Sequence, residues 1–298
     1  MKPLQPLNEV FGYPPDNYSD EVRRHRKMRL CPFGNVIANC TKDKANDPLG
    51  VCSISTGSTR AITCPIRFRE NWLVAEHAAE FFFQKHATWT SLTEVRLSDA
   101  HGQSAGNIDV VLAEYNRDGK VVDFGALEIQ AVYISGNIRR PFSYYMEHQE
   151  AQQEMDWSDE QLYPRPDYLS SSRKRLVPQL LFKSGILKAW GKKSAVALDA
   201  GFFNTLPVMR SVSPDKADLI WLVYDLEDDP RTGRQHLAIK NRVYTLFQES
   251  LDCISTSEPG DIELFVRTLQ QKVDEVLDTP IPPDNKLIRL DDQCDDSE

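Results

Sequence analysis

The sequence predicts an α/β or α+β core over roughly residues 70–278. One observation is a segment, 70–86, whose apolar side chains recur at helical spacing. A second is a set of three short runs rich in apolar residues, at 92–97, 106–114 and 121–133. The third is Asn116-Arg117-Asp118-Gly119 between the last two runs, which is a strong signal for a β-hairpin.

Further elements of both kinds continue this order toward the C-terminus. Strands are expected at 194–199, 218–226 and 235–241. Helices are expected at 143–155, 171–190, 242–253 and 259–278, and the last of these is amphipathic. Ahead of the core, Ser19 is the expected N-cap of a basic helix whose first turn is acidic.

Three parts of the chain differ in composition, and each is expected to behave differently. Residues 1–68 are an N-terminal arm followed by a cysteine-containing module. The module, residues 31–68, has few periodic apolar positions and is expected to be a loop structure that needs a cross-link. Residues 69–278 are the core. Residues 279–298 are rich in Pro and Asp and are expected to form a disordered acidic tail.

The composition is that of a globular protein, with 41% hydrophobic residues in 298. No apolar run approaches the roughly 18 residues that span a membrane, and the N-terminus has no apolar signal segment. We therefore expect a cytoplasmic protein with no membrane partner, whose thiols stay reduced. The formal net charge of −9 argues against nucleic acid, but local basic clusters are compatible with a DNA-binding face. The clusters are Arg23, Arg24, Arg26, Lys27 and Arg29; Arg139 and Arg140; and Arg173, Lys174 and Arg175.

Four cysteines in the N-terminal module form a candidate structural metal site. Their spacing, C-x8-C-x11-C-x11-C, matches no ordinary zinc finger with paired knuckles. Four thiolates can nevertheless satisfy one tetrahedral ion and supply folding free energy that a poorly apolar segment lacks. Thiolates favour zinc or iron, and the alternative is four unrelated reduced cysteines. The candidate ligands are Cys31, Cys40, Cys52 and Cys64, whereas Cys253 and Cys294 are expected to be incidental.

A second candidate metal site lies on the two runs that the hairpin joins. Asp109 and Glu128 are separated by 18 residues, and antiparallel pairing through the turn brings them close together. Gln130 shares the face of Glu128 because side chains alternate along a strand. Carboxylates flanked by aliphatic residues are costly unless a cation pairs them, although both could instead be exposed acids on an outer face. Candidates for a further ligand are Glu94, ranked first, and Glu76 or Glu80.

This site differs at one position from a familiar nuclease pattern, in which Asp is followed by (Asp/Glu)-x-Lys. In that pattern the carboxylates hold Mg²⁺ beside the scissile phosphate, and the lysine orients the attacking water or helps to deprotonate it. Here Gln130 stands at the lysine position. A glutamine amide can hold a water but cannot take a proton from it, so more of the chemistry would depend on the metal.

The two constellations, in this order, resemble the NotI-type restriction endonucleases over about residues 25–145. The matching stretches are Cys31-Pro32-Phe33, Cys40, Cys52, Cys64-Pro65-Ile66-Arg67-Phe68, Gly106-Asn107-Ile108-Asp109 and Leu127-Glu128-Ile129-Gln130-Ala131-Val132-Tyr133-Ile134-Ser135-Gly136. The resemblance implies a PD-(D/E)xK nuclease fold, with a mixed central sheet flanked by helices, and iron bound by the four cysteines. It also implies that Asp109, Glu128 and Gln130 form the active site, that Glu94 completes it, and that a homodimer cuts rare, GC-rich palindromes.

We therefore predict a type II restriction endonuclease that hydrolyses double-stranded DNA with Mg²⁺, leaving 5′-phosphate and 3′-hydroxyl ends. Asp109, Glu128 and the backbone carbonyl of Ile129 are expected to hold the ion, and Gln130 the water. A homodimer is expected because two-fold protein symmetry then mirrors the symmetry of the DNA site. Residues expected to contact DNA are Arg139 and Arg140, with Arg23, Arg24 and Arg26 as further candidates. The alternatives are a non-catalytic, metal-stapled DNA-binding protein and a four-cysteine metal or redox sensor.

Overall fold

The computed structural model describes residues 5–44, 46–57, 59–149, 157, 162–257 and 259–278. The chain divides into two compact units, Met1–Ser255 and Thr256–Glu298. The described strands all belong to the first unit. The expected boundary after residue 68 stays a prediction, and the expected tail at 279–298 lies outside the described residues.

The described part of the chain contains eleven strands and seven helical runs, which are numbered in chain order. The strands are β1 (Leu7–Val10), β2 (Val51–Thr56), β3 (Thr59–Ile62), β4 (Trp89–Ser98), β5 (Ser104–Tyr115), β6 (Val121–Gln130), β7 (Tyr133–Ser135), β8 (Arg165–Asp167), β9 (Ser194–Asp199), β10 (Leu219–Asp229) and β11 (Arg234–Thr245). The helical runs are α1 (Asp20–Met28), α2 (Leu73–Phe82), α3 (Arg139–Glu147), α4 (168–189), α5 (Ala200–Phe203), α6 (Phe247–Ser255) and α7 (Ile262–Asp278).

A six-stranded mixed sheet forms the centre of the first unit. Its strand order is β11-β10-β9-β6-β5-β4. Strand β9 runs parallel to both of its neighbours, β6 and β10, and the remaining pairs are antiparallel. Helices cover both faces, because the central strands are apolar on both sides. The α/β class, with a mixed central sheet between helices, is thereby confirmed.

The hairpin that joins β5 and β6 forms at the predicted turn. The side-chain carboxamide oxygen of Asn116 accepts the backbone N–H groups of Asp118 and Lys120, each at 3.0 Å. Gly119 has φ +75°, a conformation that favours glycine. The resulting register pairs Val110 with Leu127, which places the next residues of the two strands, Asp109 and Glu128, beside each other.

The two faces of the sheet have separate apolar cores. On one face, α2 packs its apolar side chains against Leu127 and Ile129 of β6. On the other face, α4 and α6 pack against Val196 and Leu198 of β9. Glu128 pairs with Val196 and Gln130 with Leu198 in the parallel β6–β9 ladder, so both point toward the face that α4 covers. The candidate site therefore lies between the sheet and α4.

Helix α2 begins three residues later than residue 70, where the sequence pattern places its start. A 3₁₀ segment, Pro65–Trp72, precedes it and is kinked at its end. Asn71 and Trp72 both have positive φ, at +51° and +57°, and right-handed helix cannot continue through left-handed residues. The apolar periodicity is correct, but the backbone reverses within it before the α-helix starts.

The N-terminal module has more regular structure than expected. Strands β1, β2 and β3 form an antiparallel three-stranded sheet, and β2 and β3 lie in the segment predicted to be loop. Its buried residues include Val51 and Ile54, which belong to the same apolar core as β9 and α4. The loop prediction was wrong because these strands are short and complete their apolar core only against the rest of the fold.

Helix α4 contains two π-helical stretches, Ser172–Leu176 and Leu180–Ser184. They flank Val177–Gln179, in which Pro178 has no N–H and crowds the carbonyl of the preceding turn. The wider π turns carry the helix past the proline without a break. Stretches of this kind are frequent at functional sites.

The C-terminal elements differ most from the predicted boundaries at the end of β11. Strand β11 continues to Thr245, where a helix was expected from residue 242, because its pairing with β10 extends to Leu219 opposite Thr245. The helix begins only at Phe247. Helix α3 starts at Arg139, before the predicted 143, and most of the expected remainder to 155 lies outside the described residues. Among the described helices, none is long and apolar enough to cross a membrane.

Candidate active site

Asp109 and Glu128 meet where the pairing of β5 and β6 ends. The last paired residues are Val110 and Leu127. Beyond them, the carboxylate of Asp109 accepts the backbone N–H of Ile129 at 2.8 Å, in place of a backbone carbonyl. This bond holds the Asp109 carboxylate beside the strand that carries Glu128. The structure therefore places the two acids next to each other, as the hairpin register predicts.

Glu128 is a buried acid, with only 3% of its side chain exposed. One carboxylate oxygen, Oε2, accepts from Lys183 Nζ at 2.7 Å, and the other, Oε1, is buried without a hydrogen-bond partner among the described residues. Burial, followed by the negative charge of Asp109, raises the pKa of Glu128 well above its usual range, while Lys183 opposes that rise. A buried, partly unsatisfied carboxylate beside a second acid is an arrangement that a bound cation would stabilise.

Gln130 is buried next to Glu128, with 1% of the residue exposed. Its side-chain amide N–H donates to the side-chain oxygen of Gln179, which belongs to α4. Its own oxygen, Oε1, is buried and has no partner in the part of the chain that the structure describes. Two unsatisfied oxygens, one on Glu128 and one on Gln130, therefore point into the space beneath α4, and oxygen is the ligand atom that Mg²⁺ prefers.

Glu94 lies on the edge strand directly across from Asp109. Thr93 pairs with Val110 and Val95 pairs with Ile108, so the register places Glu94 opposite Asp109. Its backbone has φ +56°, the one described strand residue other than glycine with a positive φ. Strained residues of this kind cluster at functional sites. In the described ranges, however, Glu94 does not close with the other two acids into a three-residue metal-binding group.

Glu76 and Glu80 lie away from this site. Both are exposed residues of α2, which packs on the opposite face of the sheet. Glu80 pairs there with Arg242. The suggestion that either supplies a ligand was wrong, because sequence alone does not show which face of the sheet a helix covers.

A family model described as restriction endonuclease NotI matches residues 16–237, more than half of the chain. The chain belongs to the NotI restriction endonuclease family. The match spans the four cysteines, the acid pair, Gln130 and most of the central sheet. No curated protein matches the sequence.

NotI-family membership makes this chain a site-specific restriction endonuclease that binds and cleaves double-stranded DNA, a reaction for which the family suggests a divalent metal cofactor. The acid pair of this chain lies on adjacent strands of the central sheet. Sequence reasoning missed two residues of the site, Lys183 and Gln179. Their signal was present in the predicted helix at 171–190, but nothing local indicates that this helix lies over Glu128 and Gln130.

The cysteines of this NotI-family chain lie in one region of the N-terminal module. Cys52 is on β2 and Cys64 follows β3, and the Cys64 N–H donates to the Cys52 carbonyl at 3.2 Å. Burial, and to a lesser degree the neighbouring Cys64 thiol, raises the pKa of Cys40 to about 11. Over the described residues, no three Cys, His, Asp or Glu side chains form a group able to hold an ion. The four-cysteine metal site therefore stays a prediction.

Two of the arginines expected to contact DNA have other roles in the fold. Arg26 is buried, at 1% exposure, and its guanidinium donates to the backbone carbonyls of Asn17 and Pro14. The prediction for Arg26 was wrong, because its helical position turns it inward. Arg139 is bound by two aspartates of the N-terminal module, Asp43 and Asp47, so its charge is already neutralised.

Proposed function

We propose that this protein is a type II restriction endonuclease that hydrolyses double-stranded DNA at a specific palindromic site with Mg²⁺. The observation that carries the proposal is the pairing of Asp109 and Glu128 at the end of the β5–β6 ladder, with Glu128 Oε1 buried and unsatisfied. A protein that only bound DNA would gain nothing from burying this carboxylate beside a second acid. Membership of the NotI family supports the same chemistry.

Asp109, Glu128 and the backbone carbonyl of Ile129 would hold the Mg²⁺. When bound, this ion supplies positive charge that activates water and offsets the charge developing on the phosphate. Gln130 contributes an amide that can position the attacking water, and its unsatisfied Oε1 is available for that bond. Glu94, opposite Asp109, is the acid that we assign to complete the site.

The reaction is a hydrolysis in which the bond to the 3′ oxygen breaks. A water oxygen bonds to phosphorus and gives up a proton to solvent, while the departing 3′ oxygen takes one up. The products are a 5′-phosphate and a 3′-hydroxyl. The basic cluster on α4, Arg173, Lys174 and Arg175, is suited to hold the DNA backbone near this site, since its first two members are exposed. Arg175 is close enough to Glu128 to lower the pKa of that carboxyl.

A homodimer would cut both strands of a palindrome with two copies of one active site. This assembly is part of the proposal, and its support is the symmetry argument. Sedimentation of the protein, alone and with a DNA duplex containing its site, measures the number of chains in the complex.

A structural iron bound by Cys31, Cys40, Cys52 and Cys64 is also part of the proposal, with zinc as the alternative ion. Its support is that the four thiols lie close enough to influence one another's pKa. Lys42 supports it further, because its ammonium lies near three of these thiols and would offset their charge as thiolates. An ion there would add folding free energy to the module.

Purified protein is expected to contain iron and to show the absorption of ferric thiolate, and Cys52→Ser is expected to lose both. Elemental analysis and a visible spectrum make the measurement, and Cys253→Ser is the matched control because Cys253 lies on α6. If the protein is colourless and contains zinc, the ion at this site is zinc and not iron. Metal-free protein that is fully folded would remove the site from it.

The digestion of a large unmethylated DNA by purified protein tests the main proposal. Discrete fragments with Mg²⁺, and none with EDTA, are expected, and sequencing of their ends identifies the recognition site and the cut position. Intact DNA in Mg²⁺, Mn²⁺ and Co²⁺ together with retained DNA binding would instead favour the non-catalytic binding protein.

A further inference from the structure

Lys183 is a buried lysine at the centre of the candidate active site. Only 6% of its side chain is exposed. Its Nζ donates to Glu128 Oε2 at 2.7 Å and to the backbone carbonyl of Asn107 at 2.6 Å. A lysine ammonium carries three N–H donors. Among the described residues these two bonds are the ones it makes, so one donor remains for a further hydrogen bond.

Helix α4 delivers Lys183 and Gln179 to the site together. Gln179 contacts Gln130, and Lys183 contacts Glu128, so the helix and strand β6 run in opposite directions. Four residues along a helix advance about 6 Å, and two residues along a strand advance about 7 Å. The two spacings match, which lets one helix place one side chain over each of the two motif residues.

The arrangement supplies what the strand motif lacks. In the general nuclease pattern a positively charged lysine follows the motif acid by two residues, and here the uncharged Gln130 occupies that position. Lys183 brings an ammonium to the same acid from a different element.

We propose that Lys183 takes the part of the missing motif lysine, holding Glu128 in place and donating a hydrogen bond to the attacking water or to the scissile phosphate. Lys183 keeps its proton throughout, and the water loses its own proton to solvent, as in the proposed hydrolysis. A buried lysine that served only the fold would neutralise Glu128 and nothing more. The inference rests on the proposed nuclease function and adds to it a residue that contacts the reacting groups.

Moving the lysine to the motif position distinguishes a role in the reaction from a role in the fold alone. Lys183→Met is expected to slow single-turnover cleavage by about a hundredfold to a thousandfold at saturating Mg²⁺. The affinity of this variant for the DNA site, measured in Ca²⁺, is expected to stay within about threefold of the parent, because the Lys183 side chain is buried inside the protein. The double variant Gln130→Lys with Lys183→Met restores a lysine at the motif position and is expected to recover at least about tenfold of the lost rate.

Lys183→Arg and Lys183→Gln provide a second comparison if the methionine variant is unstable. Arginine keeps the charge and glutamine does not, so at equal folded fraction the arginine variant is expected to cleave faster. The inference would be overturned if Lys183→Met and Lys183→Gln cleaved at the parent rate. It would also be overturned if these variants folded, cleaved slowly, and gained no cleavage rate from the added Gln130→Lys change. If the parent protein itself cleaves no DNA, the proposed function fails first. If the parent cleaves and the lysine variants match it, only the role of Lys183 is lost.

Discussion

Asp109→Asn and Glu128→Gln are each expected to lower the rate of DNA cleavage by about a thousandfold, with DNA binding retained. Each change removes one negative charge from the pair that would hold the cation and leaves the shape of the side chain. Asparagine can still accept the Ile129 N–H, and glutamine can still accept from Lys183, so the local hydrogen bonds of the fold persist. The rates are measured at saturating Mg²⁺ on a duplex that contains the recognition site.

Asp118→Asn is the matched control for these variants. Asp118 is an exposed acid in the turn of the same hairpin, and its backbone N–H, not its carboxylate, makes the turn bond to Asn116. It is expected to cleave like the parent. Equal cleavage by Asp109→Asn, Glu128→Gln and the parent would show that the acid pair is not the catalytic site, and the proposal would then lose its main support.

Arg67→Met is expected to lower the free energy of unfolding by about 3–5 kcal/mol, which makes it the most destabilising change expected away from the active site. Arg67 and Glu9 are both fully buried, and the guanidinium Nε lies 3.0 Å from Glu9 Oε1. A second guanidinium nitrogen pairs with Glu70 at 2.8 Å, and a third donates to the backbone carbonyl of Gln235. The change leaves the Glu9 carboxylate buried without its cation.

Urea unfolding followed by circular dichroism measures this loss as a lower midpoint. Arg231→Met is the matched control, because the Arg231 side chain is 91% exposed and an exposed ion pair contributes little. The double variant Arg67→Met with Glu9→Met removes the fully buried carboxylate that the single change leaves unpaired, and part of the loss is expected to return. An unchanged midpoint for Arg67→Met would mean that the bonds of Arg67 do not stabilise the fold.

The parts of the site that were predictable depend on contacts between neighbours in sequence. The turn at Asn116–Gly119 sets the register of one hairpin, and the register alone brings Asp109 to Glu128. Alternation along β6 then puts Gln130 on the same face. No information from distant parts of the chain is needed for these steps, which is why the sequence was sufficient for them.

Other features depend on which elements lie over which face of the sheet. Helix α4 was predictable as a helix, but its position over Glu128 depends on the burial of its apolar side chains against β9 and α6. The π stretches that carry it past Pro178 have no signal that periodicity detects. The exposed acids on α2 were wrongly included among the candidate ligands, because the sequence does not show that this helix packs on the other face of the sheet.

The N-terminal module shows the same division. Its cysteines and prolines marked it as a distinct region, yet its three strands went unrecognised because they are four to six residues long and are completed by the core. Arg67 links this module to the core, because its guanidinium pairs with Glu70 and donates to the backbone carbonyl of Gln235, which lies 168 residues away in sequence.

Local patterns in this chain were thus enough to predict the main helices and strands of the core, the hairpin register and the acid pair, because turn geometry and side-chain alternation act over a few residues. The lysine over Glu128, the partner of Gln130 and the inward turn of Arg26 came from packing between elements distant in sequence. Burial free energy selects those arrangements for the whole fold at once, and no short segment carries a record of them.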